Sequence, residues 1–161
     1  MSEWMSQCGI AVAFLGAALA VGLPCSGSAK GVGTVGQAGA GIISVDPGKF
    51  SRVLILQIIP GTQGLYGLVI WFFALMKLGV FAGDGLVALS IQEGLRFFAS
   101  CMPTAFGGLL FGIAQGRLGA SGLSLMAKKS SELSKSIILL VMVEFYSILA
   151  LLATFLMLNN F

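Results

Sequence analysis

Four long apolar stretches alternate with short polar segments along the chain. Residues 137–158 contain one charged residue, residues 53–76 and 97–115 contain none, and residues 8–29 are apolar and rich in glycine and alanine. Because a helix rises about 1.5 Å per residue, about 20 such residues cross a hydrocarbon core of about 30 Å. The pattern therefore predicts an all-α membrane protein with four transmembrane helices.

Polar turns join these helices in pairs. One turn is centred on Asp46-Pro47-Gly48 and the other on Lys129-Ser130-Ser131. The chain is therefore predicted to form two tandem duplicated hairpins. Residues 1–80 form the first, with helices at about 7–45 and 50–78, and residues 81–161 form the second, with helices at about 90–127 and 133–159. The first helix follows no basic segment, so we expect it to be retained rather than cleaved as a secretory signal.

An internal repeat supports the duplication. The segment from Gly27 to Gly31 resembles the segment from Gly112 to Gly116, with each glycine matched to a glycine. Aligning the second helices, with the first turn counted two residues longer than the other, puts Gly61 opposite Glu144 and leaves Lys30 opposite Gln115. Since only one copy has the carboxylate, we expect one site for two hairpins.

Small residues dominate the first helix, which contains the GxxxG pair Gly27 and Gly31. Small residues allow membrane helices to approach closely. This fits packing inside a monomeric bundle, but the run is long enough to favour the inner layer of a ring. Residues 31–36 also match GxGxxG, a nucleotide-binding pattern that needs a preceding strand, which the apolar helix does not provide.

Composition removes several classes of function. The chain is 57% apolar and 9% charged, with no histidine and three cysteines. Without histidine there are no imidazole ligands and no Ser-His-Asp triad. Cys8, Cys25 and Cys101 form no CxxC pair, so we interpret them as packing residues. We therefore expect no catalytic site.

The basic residues lie mainly beside two turns and form no groove for nucleic acid. Basic loops usually face the cytoplasm, so loops 30–52 and 117–135 are predicted to be cytoplasmic and both termini outside. Seven of the nine basic residues belong to these two groups: Lys30, Lys49 and Arg52, and Arg117, Lys128, Lys129 and Lys135.

Glu144 stands alone in its apolar helix. A charged side chain at the bilayer centre costs about 2.5–3.5 kcal/mol on insertion scales, so such a residue usually faces a partner or an ion pathway. The alternative is a protonated glutamate with a purely structural hydrogen bond.

Other polar groups are predicted at the depth of Glu144. Thr62, Gln63 and Tyr66 share one helical face, because residues three and four apart are neighbours on a helix. Pro60 lacks an N–H and frees backbone carbonyls nearby. Gln115 and Glu144 are nearly equidistant from the turn between their helices, so antiparallel pairing brings them level.

The chemistry of this set indicates a hard monovalent cation. Carboxylate, amide, hydroxyl and carbonyl oxygens suit hard cations, and one carboxylate balances one positive charge. The candidates are Na⁺ and H⁺. Because a proton needs only a carboxyl group and one partner, the additional oxygens of Thr62, Gln63 and Gln115 favour Na⁺.

Three motifs resemble those of the bacterial V-type ATPase proteolipid, also called the K or c subunit, and most of all its sodium-translocating members. They are residues 56–67 (LQIIPGTQGLYG), residues 112–116 (GIAQG) and residues 143–146 (VEFY). The resemblance implies a Na⁺ site with Tyr66 hydrogen-bonded to the carboxylate. Phe145 and the longer middle loop depart from the family pattern. The implied ligands are the Ile59 carbonyl, Thr62, Gln63, Gln115 and Glu144.

The same resemblance implies a mechanism and partners. Identical copies would form a rotor ring in the bacterial cell membrane, turning against a stator subunit with an essential arginine and bound to central-stalk subunits. ATP would be hydrolysed by the soluble sector. Two rivals remain open, the same rotor subunit with H⁺ as its cargo and a small four-helix cation exporter with an intramembrane glutamate.

Overall fold

The computed structural model describes residues 2–83 and 85–161. In these ranges, four apolar spans are long enough to cross a membrane: Gln7–Val45, Pro47–Lys77, which holds two consecutive α-helices, Ile91–Lys128 and Leu133–Asn159. The predicted fold with four membrane-spanning helices is confirmed, whereas the domain boundary at residue 80 stays a prediction. The helices are α1 (Ser2–Val45), α2 (Phe50–Ile58), α3 (Thr62–Lys77), α4 (Ile91–Lys128) and α5 (Leu133–Asn159).

Short-range sequence signals set several helix ends. After α1, the Asp46 side chain accepts a hydrogen bond from the Gly48 N–H at 3.1 Å, and Pro47 begins a 3₁₀ turn. Helix α4 begins with a capping box, in which Ser90 and Glu93 each bond the other's backbone N–H. The second span is interrupted by a 3₁₀ turn over Ile59–Gly61, because Pro60 has no N–H to donate.

Helices α1 and α4 run parallel and touch through their backbones. A Cβ atom at Gly27 would lie 2.6 Å from the Gly108 carbonyl oxygen, and one at Gly112 would lie 2.6 Å from the Gly27 carbonyl carbon. No side chain fits at these positions. We call this contact the glycine ladder, which comprises Gly9, Gly27 and Gly31 of α1 and Gly94, Gly112 and Gly116 of α4.

The remaining helices cover one side of this pair. A Cβ atom at Gly67 of α3 would meet the ring of Pro24 in α1, and one at Gly107 of α4 would meet Ala150 in α5. The first helix of each hairpin, α1 or α4, thus packs against the second span of the same hairpin. We call α1 and α4 the inner helices, and the spans formed by α2 with α3 and by α5 the outer spans. The protein is a two-layer bundle, with α1 and α4 in one layer and α2, α3 and α5 in the other.

The two hairpins correspond in the alignment that places the end of α1, Val45, on the end of α4, Lys128. We call this alignment the repeat register. Contacts follow it, since Gly39 faces Val53 in the first hairpin, and their counterparts Gly122 and Ser136 face each other in the second. The two connecting turns therefore have equal length, and the expectation of a longer first turn is wrong.

The repeat register changes one predicted pairing and keeps another. The counterpart of Gln115 is Val32 rather than Lys30, while Gly61 remains the counterpart of Glu144. The similarity between Gly27 and Gly112 has a different cause, because these residues touch across the glycine ladder and are not counterparts in the repeat. Two parallel helices that need glycine at the same contact acquire similar sequences where they touch.

Two apolar clusters fill the bundle, one toward the termini and one toward the polar turns. The first includes Ala17, Ile70 and Phe97, and the second includes Val35, Leu56 and Leu140. The level between the clusters contains the buried amides Gln63 and Gln115. The polar groups thus lie between these two apolar clusters.

Candidate ion-binding site

The carboxylate of Glu144 accepts hydrogen bonds from two other spans. The Tyr66 hydroxyl donates to Oε1 at 2.6 Å, and the Gln115 amide donates to Oε2 at 2.5 Å. Gln63 Nε2 lies 3.3 Å from the same Oε2 atom. The structure therefore brings four of the six sequence-predicted residues into one network that joins both hairpins.

The two amides in this network are fully enclosed. Gln63 is 1% exposed and Gln115 is 0% exposed. Gln63 Nε2 also donates to Gln115 Oε1 at 2.9 Å, and Gln115 Nε2 lies 3.3 Å from the Leu140 carbonyl oxygen. These bonds fix the direction in which each amide nitrogen points.

One oxygen of the network is left without a donor. Gln63 Oε1 is buried and has no hydrogen-bond partner among the described residues. A buried polar atom without a partner costs about 1–3 kcal/mol, so each such atom in a native structure needs an explanation. Beside a carboxylate, an acceptor without a donor is the arrangement that a cation requires.

Ile59 and Thr62 lie at the proline-interrupted turn, one step from this network. The Thr62 hydroxyl donates to the Ile59 carbonyl oxygen at 2.8 Å, and the Thr62 N–H bonds the same oxygen. The structure does not bring either group into hydrogen-bond contact with Glu144. The turn places two further oxygens immediately before Gln63 in the chain.

Ser28 is a residue of this region that the sequence pattern did not single out. Its hydroxyl accepts from the Gly64 N–H at 2.7 Å and donates to the Pro60 carbonyl oxygen at 2.8 Å. In the sequence this serine is one of many small residues in α1, which were attributed to packing. No local pattern distinguishes it, because its partners lie on another helix.

The groups that donate to the carboxylate carry no charge. They are a phenol and two amides, and Glu144 is partly buried on a span that contains no other acidic or basic residue within residues 137–158. Neutral donors orient a carboxylate but do not neutralise it. Within a membrane the site therefore requires one positive charge, which a proton or a monovalent cation supplies.

Among the described residues, the counterparts of Ile59, Thr62, Gln63 and Tyr66 in the second hairpin do not form a similar set of polar groups. In the repeat register, Thr62 and Gln63 correspond to Phe145 and Tyr146, which are 61% and 62% exposed. The counterparts of Ile59 and Tyr66 are Met142 and Leu149, whose side chains are apolar. The duplication has therefore kept the register of the spans and given the polar groups different places in the two halves.

Comparison with known proteins matches both hairpins to one family. The sequence model of the ATP synthase C subunit matches residues 15–74 and again residues 98–157. The two matched ranges start and end at counterparts in the repeat register, so sequence and structure define the same duplication.

Two relatives match most of the chain. It is 44% identical over 152 residues to the V-type sodium ATPase subunit K of Enterococcus hirae, covering 94% of this chain and 93% of that protein. It is 35% identical over 144 residues to the A-type ATP synthase subunit K of Methanocaldococcus jannaschii, covering 89% of this chain and 60% of that protein. The chain belongs to the family of the ATP synthase C subunit, the membrane proteolipids of rotary ATPases.

Proposed function

We propose that the chain is the ion-carrying rotor subunit of a V-type ATPase and that its cargo is Na⁺, bound at Glu144. The observation that carries this proposal is the buried Gln63 Oε1, which has no donor among the described residues and lies in the network around the carboxylate. A proton on the carboxyl group needs one acceptor at most, whereas a cation is bound by several oxygens at once, so the full set of Gln63, Gln115, Thr62 and Ile59 oxygens favours Na⁺.

The proposed ligand set is made of hard oxygens from both hairpins. Glu144 supplies the charge, the Tyr66 hydroxyl holds the carboxylate in place, and the neutral ligands replace the hydration shell of the ion. In this proposal Na⁺ is the transported substrate and not a resident cofactor. The neutral ligands are the Gln63, Gln115 and Thr62 side chains and the Ile59 carbonyl.

The relatives support the ion and the assembly. The Enterococcus hirae protein is named as a subunit of a sodium ATPase, and the Methanocaldococcus jannaschii protein as a subunit of an ATP synthase. In this chain we infer a non-catalytic subunit that moves ions while other subunits hydrolyse ATP. Copies of the chain would form a ring.

The outer surfaces of the bundle support a ring. A Cβ atom added at Gly22 or Gly33 of α1 would have no described atom of this chain within 4 Å beyond the adjacent backbone of α1. Their face of α1 is therefore open for the inner helix of another copy. Phe145, beside Glu144, is 61% exposed on the opposite layer. We propose that this outer face meets lipid and a stator subunit, whose arginine displaces Na⁺ from the carboxylate.

The orientation in the membrane follows from the two polar turns. Lys49 Nζ donates to the Ala127 carbonyl oxygen at 3.2 Å, so both turns lie at the same end of the bundle. Because basic residues gather there, we propose that this end is cytoplasmic and both termini are outside, in a bacterial cell membrane. Central-stalk subunits would bind the same end.

Carbodiimide labelling of Glu144 tests the cargo. The reagent modifies a protonated carboxyl group, so bound Na⁺ protects it, and we expect protection that rises with Na⁺ at fixed pH. K⁺ at equal ionic strength is the control and should protect far less. Equal labelling at all Na⁺ concentrations would contradict the sodium proposal and favour proton transport.

Native mass spectrometry of detergent-purified protein tests the ring separately. We expect a single closed oligomer of identical chains under mild conditions. A monomer or dimer would contradict the rotor proposal and favour the small exporter.

A further inference from the structure

The hydroxyl of Ser28 is inserted into the hydrogen-bond ladder of another helix. In a continuous helix the Gly64 N–H would bond the Pro60 carbonyl, four residues earlier. Here the Ser28 hydroxyl lies between them, 2.7 Å from the Gly64 nitrogen and 2.8 Å from the Pro60 oxygen. Its distance to the Gly61 carbonyl oxygen is 3.3 Å.

This insertion occurs within the segment that supplies the proposed ligands. Pro60 removes one helical hydrogen bond because it has no N–H, and the α-helical geometry stops at Ile58 and resumes at Thr62. A side chain placed in the ladder keeps such a break open, because it satisfies both the donor and the acceptor that would otherwise bond each other. Ser28 is 7% exposed, so water has little access to take its place.

The position of Ser28 is itself fixed by backbone packing. A Cβ atom at Gly112 of α4 would lie 2.9 Å from the Ser28 nitrogen, so α4 holds this turn of α1 from the other side. The hydroxyl is thus anchored by the glycine ladder and bonds the interrupted turn and the first turn of α3. The shape of the interrupted turn is set from a different helix than the one that carries it.

We propose that Ser28 is a positioning residue for the Na⁺ site, and that it holds the interrupted turn so that the Ile59 carbonyl, Thr62 and Gln63 face the ion. The inference rests on the proposed sodium function and deepens it. Ser28 makes no hydrogen bond to Glu144 in the described structure, so its effect falls first on the neutral ligands and reaches the carboxylate only through the 3.3 Å contact of Gln63.

The test compares Ser28→Ala with Ser26→Ala in the intact ring. Ser26 is two residues away on the same helix, and its exposed hydroxyl bonds only the Gly22 carbonyl of α1, at 2.8 Å. We measure the Na⁺ concentration that gives half protection of Glu144 from carbodiimide, with the label assigned to Glu144 by mass spectrometry. The Ser28 variant should need about threefold to tenfold more Na⁺, since Gly64 and Pro60 can then bond each other.

A second readout separates positioning from general damage. The pH profile of labelling without Na⁺ depends mainly on the carboxyl group and its two shortest donors, Tyr66 at 2.6 Å and Gln115 at 2.5 Å, which Ser28 does not touch, and less on Gln63 at 3.3 Å. We expect this profile to shift much less in Ser28→Ala than the Na⁺ dependence does. If that variant does not assemble, Ser28→Cys keeps the side-chain size with a weaker hydrogen bond and should shift Na⁺ protection in the same direction.

Two results would overturn the inference alone. They are equal Na⁺ protection in the Ser28 variants and Ser26→Ala, or a pH profile that moves together with the Na⁺ dependence. If the unsubstituted protein itself shows no Na⁺ protection, the sodium function fails and the role of Ser28 fails with it. The behaviour of the unsubstituted ring thus distinguishes the two failures.

Discussion

The outer spans of the two hairpins have the same ends and different interiors. In the repeat register, α2 begins at Phe50 and α5 at its counterpart Leu133. The first outer span is interrupted at Pro60, whereas α5 continues through Val143, the counterpart of that proline. The interruption and the carboxylate therefore lie in different hairpins, at nearly the same depth.

This difference indicates that the two hairpins supply different groups, neutral oxygens from the first and the carboxylate from the second. An interrupted helix exposes backbone and side-chain oxygens that bind a cation without carrying charge. A continuous helix exposes none of its backbone and is suited to present one side chain, Glu144. If each hairpin had both an interrupted helix and a carboxylate, each hairpin would carry a charge. Their separation gives one charge for every four spans.

Removing the carboxylate tests the comparison most strongly. Glu144→Gln should abolish carbodiimide labelling and reduce ATP-driven Na⁺ uptake to background in the reconstituted complex, because no other carboxylate lies in the described network. The exchange Gly61→Glu with Glu144→Gly should not restore uptake. A Cβ atom at Gly61 would lie 3.8 Å from Val32, the apolar counterpart of Gln115, so the transplanted carboxylate lacks that amide. Recovery by this exchange would show that the halves are equivalent.

Removing an interior amide should have the next largest effect. Gln63→Leu eliminates both the orphaned oxygen and a donor to the carboxylate. A hydrogen bond to a charged group contributes about 1.5–3 kcal/mol, so half protection should need about tenfold to a hundredfold more Na⁺. Gln57→Leu, in the same span, is the matched control and should leave Na⁺ protection unchanged. Similar shifts in both variants would assign the effect to packing.

The contact between the hairpins should respond to a single methyl group. Gly112→Ala places a Cβ atom against the Gly27 backbone, and such overpacking costs about 1–3 kcal/mol. Thermal unfolding in detergent, followed by circular dichroism, should show a lower midpoint. Gly41→Ala, where nothing lies within 4 Å of a built Cβ, is the control and should keep the midpoint. Equal midpoints would contradict backbone contact at the ladder.

The smallest effect is expected at the two tyrosines of the chain. Tyr66→Phe removes the 2.6 Å hydrogen bond to Glu144, but this hydroxyl orients the carboxylate in both the loaded and the empty site and is not an ion ligand. The Na⁺ needed for half protection should therefore rise only about threefold to tenfold. Tyr146→Phe changes an exposed hydroxyl in the other half and should leave it unchanged. If Tyr146→Phe raised the Na⁺ needed for half protection more than Tyr66→Phe did, the Tyr146 hydroxyl would have to make a polar contact in the ring that affects the site.

Much of the fold could be predicted because its signals are local. Apolar length, the turn residues around Pro47 and the missing N–H of Pro60 each act over a short stretch of chain. The depth of Gln115 relative to Glu144 also follows from counting along a hairpin. These features need no knowledge of how the two hairpins pack.

Two features could not be predicted because they depend on contact between helices. The similarity of the segments at Gly27 and Gly112 suggested equivalent positions, although these glycines are similar because they touch. Ser28 has no local signature because its hydroxyl serves the span that follows the first polar turn. Sequence alone does not separate repetition from contact.

The glycine ladder also bears on how the protein is made. Gln63 and Tyr66 come from the first hairpin, and Gln115 and Glu144 from the second, so the pocket is absent until the hairpins dock. The first hairpin has no carboxylate at this depth, and the second supplies the one in the network. Sliding the ladder by one turn would preserve every helix and leave a chain unable to load an ion. A complete site therefore depends on the register in which the two hairpins dock.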